Sequence, residues 1–261
     1  MTMTATLSDT APANVSPILS VREVGKKFGG FTALDGVTVD FAPGRLTSII
    51  GPNGAGKSTF FNVLSGAFPP STGNVLFEGR DITGLPQHAF ARMGIAKSFQ
   101  ITNLFPHLSV LENVRVAAQA TRTGLDLWRP RARLTELVDR AEALLVLVGL
   151  AHRRHQPAEN LAHGEQRCLE IAVALACEPR LLLLDEPTAG MSPEEARQMM
   201  DLIVRLNAER SVILVEHRMK LVMGISDRIL VLHQGRLLAD GTPGDIKADP
   251  EVRRVYLGQS V

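Results

Sequence analysis

The chain has 261 residues, 45% of them apolar and 21% charged, which is the composition of an ordinary globular protein with a sizeable core. With 28 basic against 27 acidic side chains the net charge is +1, which excludes a nucleic-acid binder whose affinity rests on a broad basic surface. Cys168 and Cys177, nine residues apart, would point to opposite faces of a shared helix, so they read as unbridged, reduced thiols in a cytosolic setting.

Residues 1–17, MTMTATLSDTAPANVSP, lack a basic start and an apolar stretch, so they read as a flexible tail rather than a secretory signal. From Ile18 the pattern turns to short strands. ILSVREV and GVTVDFAPG alternate apolar and polar residues, RLTSIIG is a buried strand ending in glycine, and GNVLFEG is another strand. Between RLTSIIG and a helix expected from Lys57 lies GPNGAGKST, a full match to G-x-x-x-x-G-K-[ST] in the strand-to-helix setting that gives the pattern meaning. Its glycines permit backbone torsions that let successive amides converge on one anion, and the helix start adds partial positive charge. The cradle is Gly51, Pro52, Asn53, Gly54, Ala55, Gly56, Lys57, Ser58 and Thr59. Lys57 supplies a full charge to the β- and γ-phosphates, and Ser58 offers a hydroxyl to Mg²⁺.

From Leu108 to Gly149 the period becomes helical. Leu134, Leu137, Val138, Ala141, Leu144, Leu145 and Val148 form one stripe, and Pro130 in WRPRAR divides the region into separate helices. The longest apolar run, ALLVLVGLA at 143–151, is about half of what a bilayer requires, so contact with a membrane would need a partner. The His152 and His155 pair encloses two arginines and reads as a solvated loop, as does the basic run at 129–133. LAHGEQR, residues 161–167, marks a helix start near Gly164 or Glu165, and free amides at such an end attract anions.

LLLLD and SVILVEH are continuous apolar runs suited to central strands of a parallel sheet. A carboxylate at the end of such a strand lands beside the phosphate cradle, so Asp185 is the candidate Mg²⁺ holder and Glu186 the candidate base that orients the attacking water. The helix between the two strands opens with Ser192 as N-cap, Pro193 at the first position and Glu195 at the third. RILVLHQGRLLADG reads as a hairpin turning at Gln234-Gly235.

GPNGAGKST, LAHGEQR and LLLLDEP, with KSFQ ending at Gln100 and VEH ending at His217, resemble in this order the ATP-binding cassette of ABC transporters, over residues 18–261. GGFTALDGV, SFQITNLFPHLSVLENV, EHRMKLVMGISDRILVLHQG and the ending YLG narrow the likeness to the ATPase subunits of branched-chain amino acid importers. The resemblance implies an α/β fold: a P-loop NTPase core with an antiparallel β subdomain and a helical subdomain inserted at approximately 101–175. It implies ATP and Mg²⁺ as ligands, an adenine stacked on Phe28, Gln100 as a nucleotide-sensing contact to Mg²⁺ or water, and His217 as a switch contacting the γ-phosphate.

It also implies that Ala162, His163, Gly164 and Glu165 close over ATP held by a second ATPase subunit, in a dimer with two ATP molecules between the subunits. Transmembrane permease subunits are the expected partners, contacted in part by Phe105, Pro106 and Leu108. An extracytoplasmic solute-binding protein is an indirect partner, no nucleic acid is expected, and the expected place is the cytoplasmic face of the inner membrane. The usual signature, L-S-G-G-Q, has serine, glycine and glutamine where this chain has Ala162, His163 and Glu165, and Ser192 stands where an aspartate is usual. Ala162 cannot donate the hydrogen bond of that serine, so a mixed pair with a related, serine-bearing subunit is expected. Alternatives are an ABC ATPase outside transport, one serving another solute such as urea or lipopolysaccharide, and a P-loop kinase for a small molecule.

Overall fold

The computed structural model describes residues 16–98, 104–120 and 131–255. The expected contributions of Gln100, of the Pro130 break, of the Leu134 side chain, of the first fifteen residues and of the YLG ending fall outside them.

The chain first builds an antiparallel sheet. β1 (Leu19–Phe28) pairs with β2 (Phe31–Phe41) on one side and β4 (Thr72–Phe77) on the other, and β5 (Arg80–Asp81) follows β4 at the edge. A second sheet has the order β10 (Arg236–Gly241), β9 (Arg228–His233), β3 (Leu46–Ile50), β8 (Ser211–Val215), β7 (Leu181–Asp185), β6 (Ile95–Lys97). Its neighbours run parallel except for β10, which returns antiparallel from β9 through a turn with Gln234 and Gly235 both at positive φ, the hairpin expected from the sequence.

β7 shows why four leucines in a row belong at the centre. Side chains alternate across a strand. Leu182 and Leu184 join the core on the helix-rich face, with Val212 and Leu214 of β8. Leu181 and Leu183 join the opposite core, with Ile213, Val215 and the phenylalanines of α1 (Lys57–Leu64). The second core also holds Leu19, Val21, Leu34 and Val75 of the antiparallel sheet, so that sheet and α1 share one apolar layer against the central sheet.

Between β6 and β7 lie α3 (Val110–Ala120), α4 (Arg131–Leu147) and α5 (His163–Leu175). Leu137, Ala141, Leu145 and Val148 are buried with Val114, Ala118 and Leu169, so the predicted stripe is the packing face. α6 (Pro193–Asn207) joins β7 to β8, and α7 (Met219–Ile225) joins β8 to β9. α8 (Pro243–Ala248) and α9 (Pro250–Val255) close a small third cluster over β9 through Ile246 and Val252. Ser192 caps α6 as expected: its hydroxyl accepts from Glu195 N and the Glu195 carboxylate accepts from Ser192 N.

Several local expectations shift. α5 starts at His163, one residue before the expected range, and ends at Leu175. Cys177 therefore lies beyond the helix that carries Cys168, and both thiols are free. Burial, with Glu165 and Glu195 adding, pushes the Cys168 thiol up to about 11, so it stays protonated at neutral pH. β6 and α2 (Gln87–Met93) have no counterpart in the sequence reading.

Candidate active site

β3, β7 and β8 run in the same direction, and their carboxyl ends lie in one row: Ile49 is opposite Val215, and Val215 is opposite Asp185. The three segments that leave these ends carry the phosphate loop, the Asp185–Glu186 pair and His217, so parallel pairing alone gathers them at one edge of the sheet.

The phosphate loop is shaped by what its glycines touch. A side chain on Gly51 would place Cβ 2.2 Å from the Leu232 carbonyl, and one on Gly56, at φ 99, 2.7 Å from the Ala33 carbonyl. Gly56 then starts α1 with no side-chain cap and no acidic residue in the first turn. The first amides of α1 are left for an anion. The loop borders a cleft of about 300 Å³ lined by residues 53–59, Glu186, Phe31 and Ala33. Lys57 reaches back across the loop, donating to the carbonyls of Gly51 (2.8 Å) and Pro52 (2.9 Å). Burial lowers its pKa, and the charges of Glu186 and Asp185 oppose that shift.

Asp185 ends β7 in a buried position, and burial pushes its carboxyl up to about 6. Lys97, Lys57 and Arg167 pull the other way, and Glu186 adds to the rise. Lys97, at the end of β6, is a site neighbour that sequence reasoning missed. Its ammonium donates to Asn62 Oδ1 at 2.8 Å and lies over the Phe61 ring, and burial lowers its pKa against the pull of Asp185. The donor chemistry fits Mg²⁺: Ser58 offers a hydroxyl at the cleft and Asp185 a carboxylate, both hard oxygen ligands.

Glu186 takes a left-handed backbone (φ 44) and its amide donates to Val215 O at 2.9 Å. That conformation is uncommon for a residue with a side chain. It turns the chain off the strand end while Glu186 lines the cleft. His217 Nδ1 lies 3.8 Å from Glu186 Oε1 and 3.6 Å from Glu216 Oε2. The imidazole is half exposed.

Other predicted residues lie elsewhere. Phe28 packs edge-to-face on Phe68, with Lys26 near both rings, and does not line the cleft of the phosphate loop. Phe31, 65% exposed, does line it. The two aromatics flank one tight turn, so the sequence alone could not separate them. The signature residues also stay out of that cleft. Ala162 is the N-cap of α5 and, having no side-chain oxygen, makes half of a capping box: its amide donates to Glu165 Oε2 at 3.1 Å without a bond in return. Glu165 Oε1 accepts from Arg153 Nε at 3.0 Å. His163 Nε2 lies 3.1 Å from the Ala189 carbonyl, and a Cβ on Gly164 would sit 3.0 Å from Glu195 Oε1. His152 lies in a short 3-10 turn, Ala151–Arg153, rather than an irregular loop, beside Glu165, and His155 in the turn after it accepts from Arg154.

Residues 34–189 match the family model described as ABC transporter, and residues 236–261 match one described as branched-chain amino acid ATP-binding cassette transporter. The chain is 44% identical over 252 residues to the high-affinity branched-chain amino acid transport ATP-binding protein LivG of Escherichia coli K12, covering 94% of this chain and 99% of that one. Its fold superposes on the ADP conformation of MJ1267, an ATP-binding cassette of an ABC transporter, with a TM-score of 0.81 at 32% identity, over 92% of this chain and 98% of the other. The dimeric post-hydrolysis structure of the cassette MJ0796 with ADP and Pi gives 0.75 at 27%, over 86% and 98%.

Proposed function

Because this chain belongs to the ABC transporter family, we propose that it is the ATP-hydrolysing subunit of an importer for branched-chain amino acids. The observation that carries the chemistry is the row of strand ends that brings the phosphate loop, Asp185–Glu186 and His217 to one edge. The loop amides and the start of α1 bind the β- and γ-phosphates, and Lys57 exchanges its two loop carbonyls for phosphate oxygens. Ser58 and Asp185 would hold Mg²⁺, with Gln100 expected to join them on the family pattern. Held there, the ion would supply positive charge against the charge that develops on the phosphate oxygens. Glu186 orients a water and takes its proton as the water oxygen attacks the γ-phosphorus. The bond to the bridging oxygen breaks, leaving ADP and phosphate. His217, beside Glu186, contacts the γ-phosphate side. At the other end of the cleft Phe31 is better placed for adenine than Phe28, which packs on Phe68.

The signature end of α5, apart from the cleft in its own chain, serves ATP held by a second subunit. That MJ0796 forms a dimer with ADP and Pi supports the pairing of two cassettes. Ala162 favours a related subunit as the partner over a second copy. No helix among the described residues is long and apolar enough to cross a membrane; on the family reading, permease subunits hold the chain at the cytoplasmic face. A solute-binding protein delivers the amino acid from the other side. Among the described residues an apolar hollow of about 230 Å³ between α2, β6, α3 and α5, lined by Phe90, Ile95, Ala117 and Val173, is suited to a short permease helix. Phe105 and Leu108, 54% and 39% exposed, stand just ahead of α3.

The test is purification of the chain with its permease subunits, followed by uptake of labelled leucine, isoleucine and valine into vesicles charged with ATP. Uptake that requires Glu186 is expected. Uptake of an unrelated solute alone would overturn the substrate reading. Phosphate transfer that needs a small-molecule acceptor would favour a kinase instead.

A further inference from the structure

Glu216, immediately before His217, has no part in the chemistry above, yet its side chain is 0% exposed and is the most deeply buried charged group among the described residues. A carboxylate taken out of water persists when charge-assisted hydrogen bonds use its oxygens. One oxygen of Glu216 accepts from the Thr188 hydroxyl. The other accepts from the backbone amides of His217 (2.7 Å) and Arg218 (3.0 Å). Thr188 lies on the segment that leaves β7 after Glu186, and His217 on the segment that leaves β8. Glu216 thus clamps together the two loops that carry the base and the switch histidine, beyond the point where the sheet ladder ends. Two further bonds tighten the same corner: the Arg218 guanidinium donates to Met191 O at 3.1 Å, and His163, at the start of α5, lies 3.1 Å from Ala189 O.

We propose that Glu216 is a positioning residue for ATP hydrolysis, fixing the backbone of His217 relative to Glu186 through its bond to Thr188. A contiguous path then runs from the signature end of α5, through Ala189 and Thr188, to Glu216 and His217. Engagement of α5 by a second subunit's nucleotide would be felt at the histidine of the same chain. The inference rests on the roles given above to Glu186 and His217.

The chemistry of the clamp selects the variants. In Glu216→Gln the amide oxygen accepts from both backbone amides and its NH₂ donates to the Thr188 hydroxyl, which turns to accept, so every bond can be kept. Glu216→Met keeps the volume and loses all three bonds. Thr188→Val loses only the Thr188–Glu216 link and leaves the Arg218–Met191 bond in place. In the full chain, Glu216→Met is expected to lower kcat at least about tenfold while the affinity for ATP stays within about threefold, a split that a general loss of structure would not produce. Thr188→Val is expected to lower kcat in the same way. Glu216→Gln is expected to recover most of the rate, and Thr188→Val combined with Glu216→Met to be no slower than Glu216→Met alone, since both break one connection.

Wild-type kcat in Thr188→Val overturns the proposal, even if Glu216→Met does not fold. So do multiplying effects in the double variant, or a loss of ATP affinity in parallel with rate. His217→Ala separates this inference from its premise. Full hydrolysis in His217→Ala removes the role of the histidine itself and the clamp with it. Loss there, beside wild-type rates in Thr188→Val and Glu216→Met, removes the clamp alone.

Discussion

Asp185 is held where its own charge is disfavoured. Burial raises its carboxyl to about 6 although two lysines and an arginine pull it down, so the ligand-free protein is favoured by a protonated Asp185. A carboxyl whose folded pKa is raised gives stability that is fully present below its ordinary value and is lost as pH rises through the folded one. Asp185→Asn should therefore raise the melting temperature of the ligand-free protein at pH 8 and raise it clearly less at pH 4.5. The same variant should lose the further stabilisation that Mg²⁺ adds to ATP, because it removes a ligand charge. Thermal melts at the two pH values check the sign, and equal melting at pH 8 would count against a buried, charged Asp185. Glu186, at the cleft and beside His217, makes a different demand. Glu186→Gln should keep ATP binding and lose steady-state hydrolysis by about a hundredfold or more, the scale of a lost general base. Calorimetry and phosphate release measure the two halves, and near-wild-type turnover would remove Glu186 as the base.

At the scale of elements, the segment before α3 is rigid in backbone and open in side chain. Asn113 receives the Phe105 amide at 2.8 Å and donates to the carbonyls of Phe105 and Leu108 at 3.1 and 3.3 Å. Charged substitutions at Phe105 and Leu108 should thus leave the fold and the subunit's own hydrolysis intact and uncouple that hydrolysis from uptake in vesicles. Unimpaired uptake with both changes would exclude this segment from the permease contact. What the sequence made legible here follows from length and pattern. The phosphate loop, the four-leucine strand and the Ser192 cap are local and carry their own chemistry. β6 spans only Ile95–Lys97, too short for any period to declare it, and Lys97 was missed with it. Glu216 follows an apolar strand and belongs to no motif of its own, and its partner Thr188 comes from another loop. Within its own chain Glu165 meets Arg153, His152 and the start of its own helix, contacts that no local pattern announced.

At the scale of the whole molecule, the proposed mixed pairing rests on the departure at Ala162. A serine there would donate a charge-assisted hydrogen bond worth about 1.5–3 kcal/mol, and a symmetric pair of this chain lacks it at both nucleotides. Self-association of the Glu186→Gln form with Mg²⁺ and ATP should be weak in analytical ultracentrifugation, and Ala162→Ser should tighten it. A tight dimer at sub-micromolar concentration, indifferent to Ala162→Ser, would defeat the expectation of a mixed pair. One further consequence belongs to the leucines of β7, two facing each apolar layer. Both layers must come apart before that strand can leave its neighbours, so its amides, with those of β3 and β8, should be the last to trade their protons for solvent deuterium. The loops that meet the nucleotide hang from the edge of this slowly exchanging backbone.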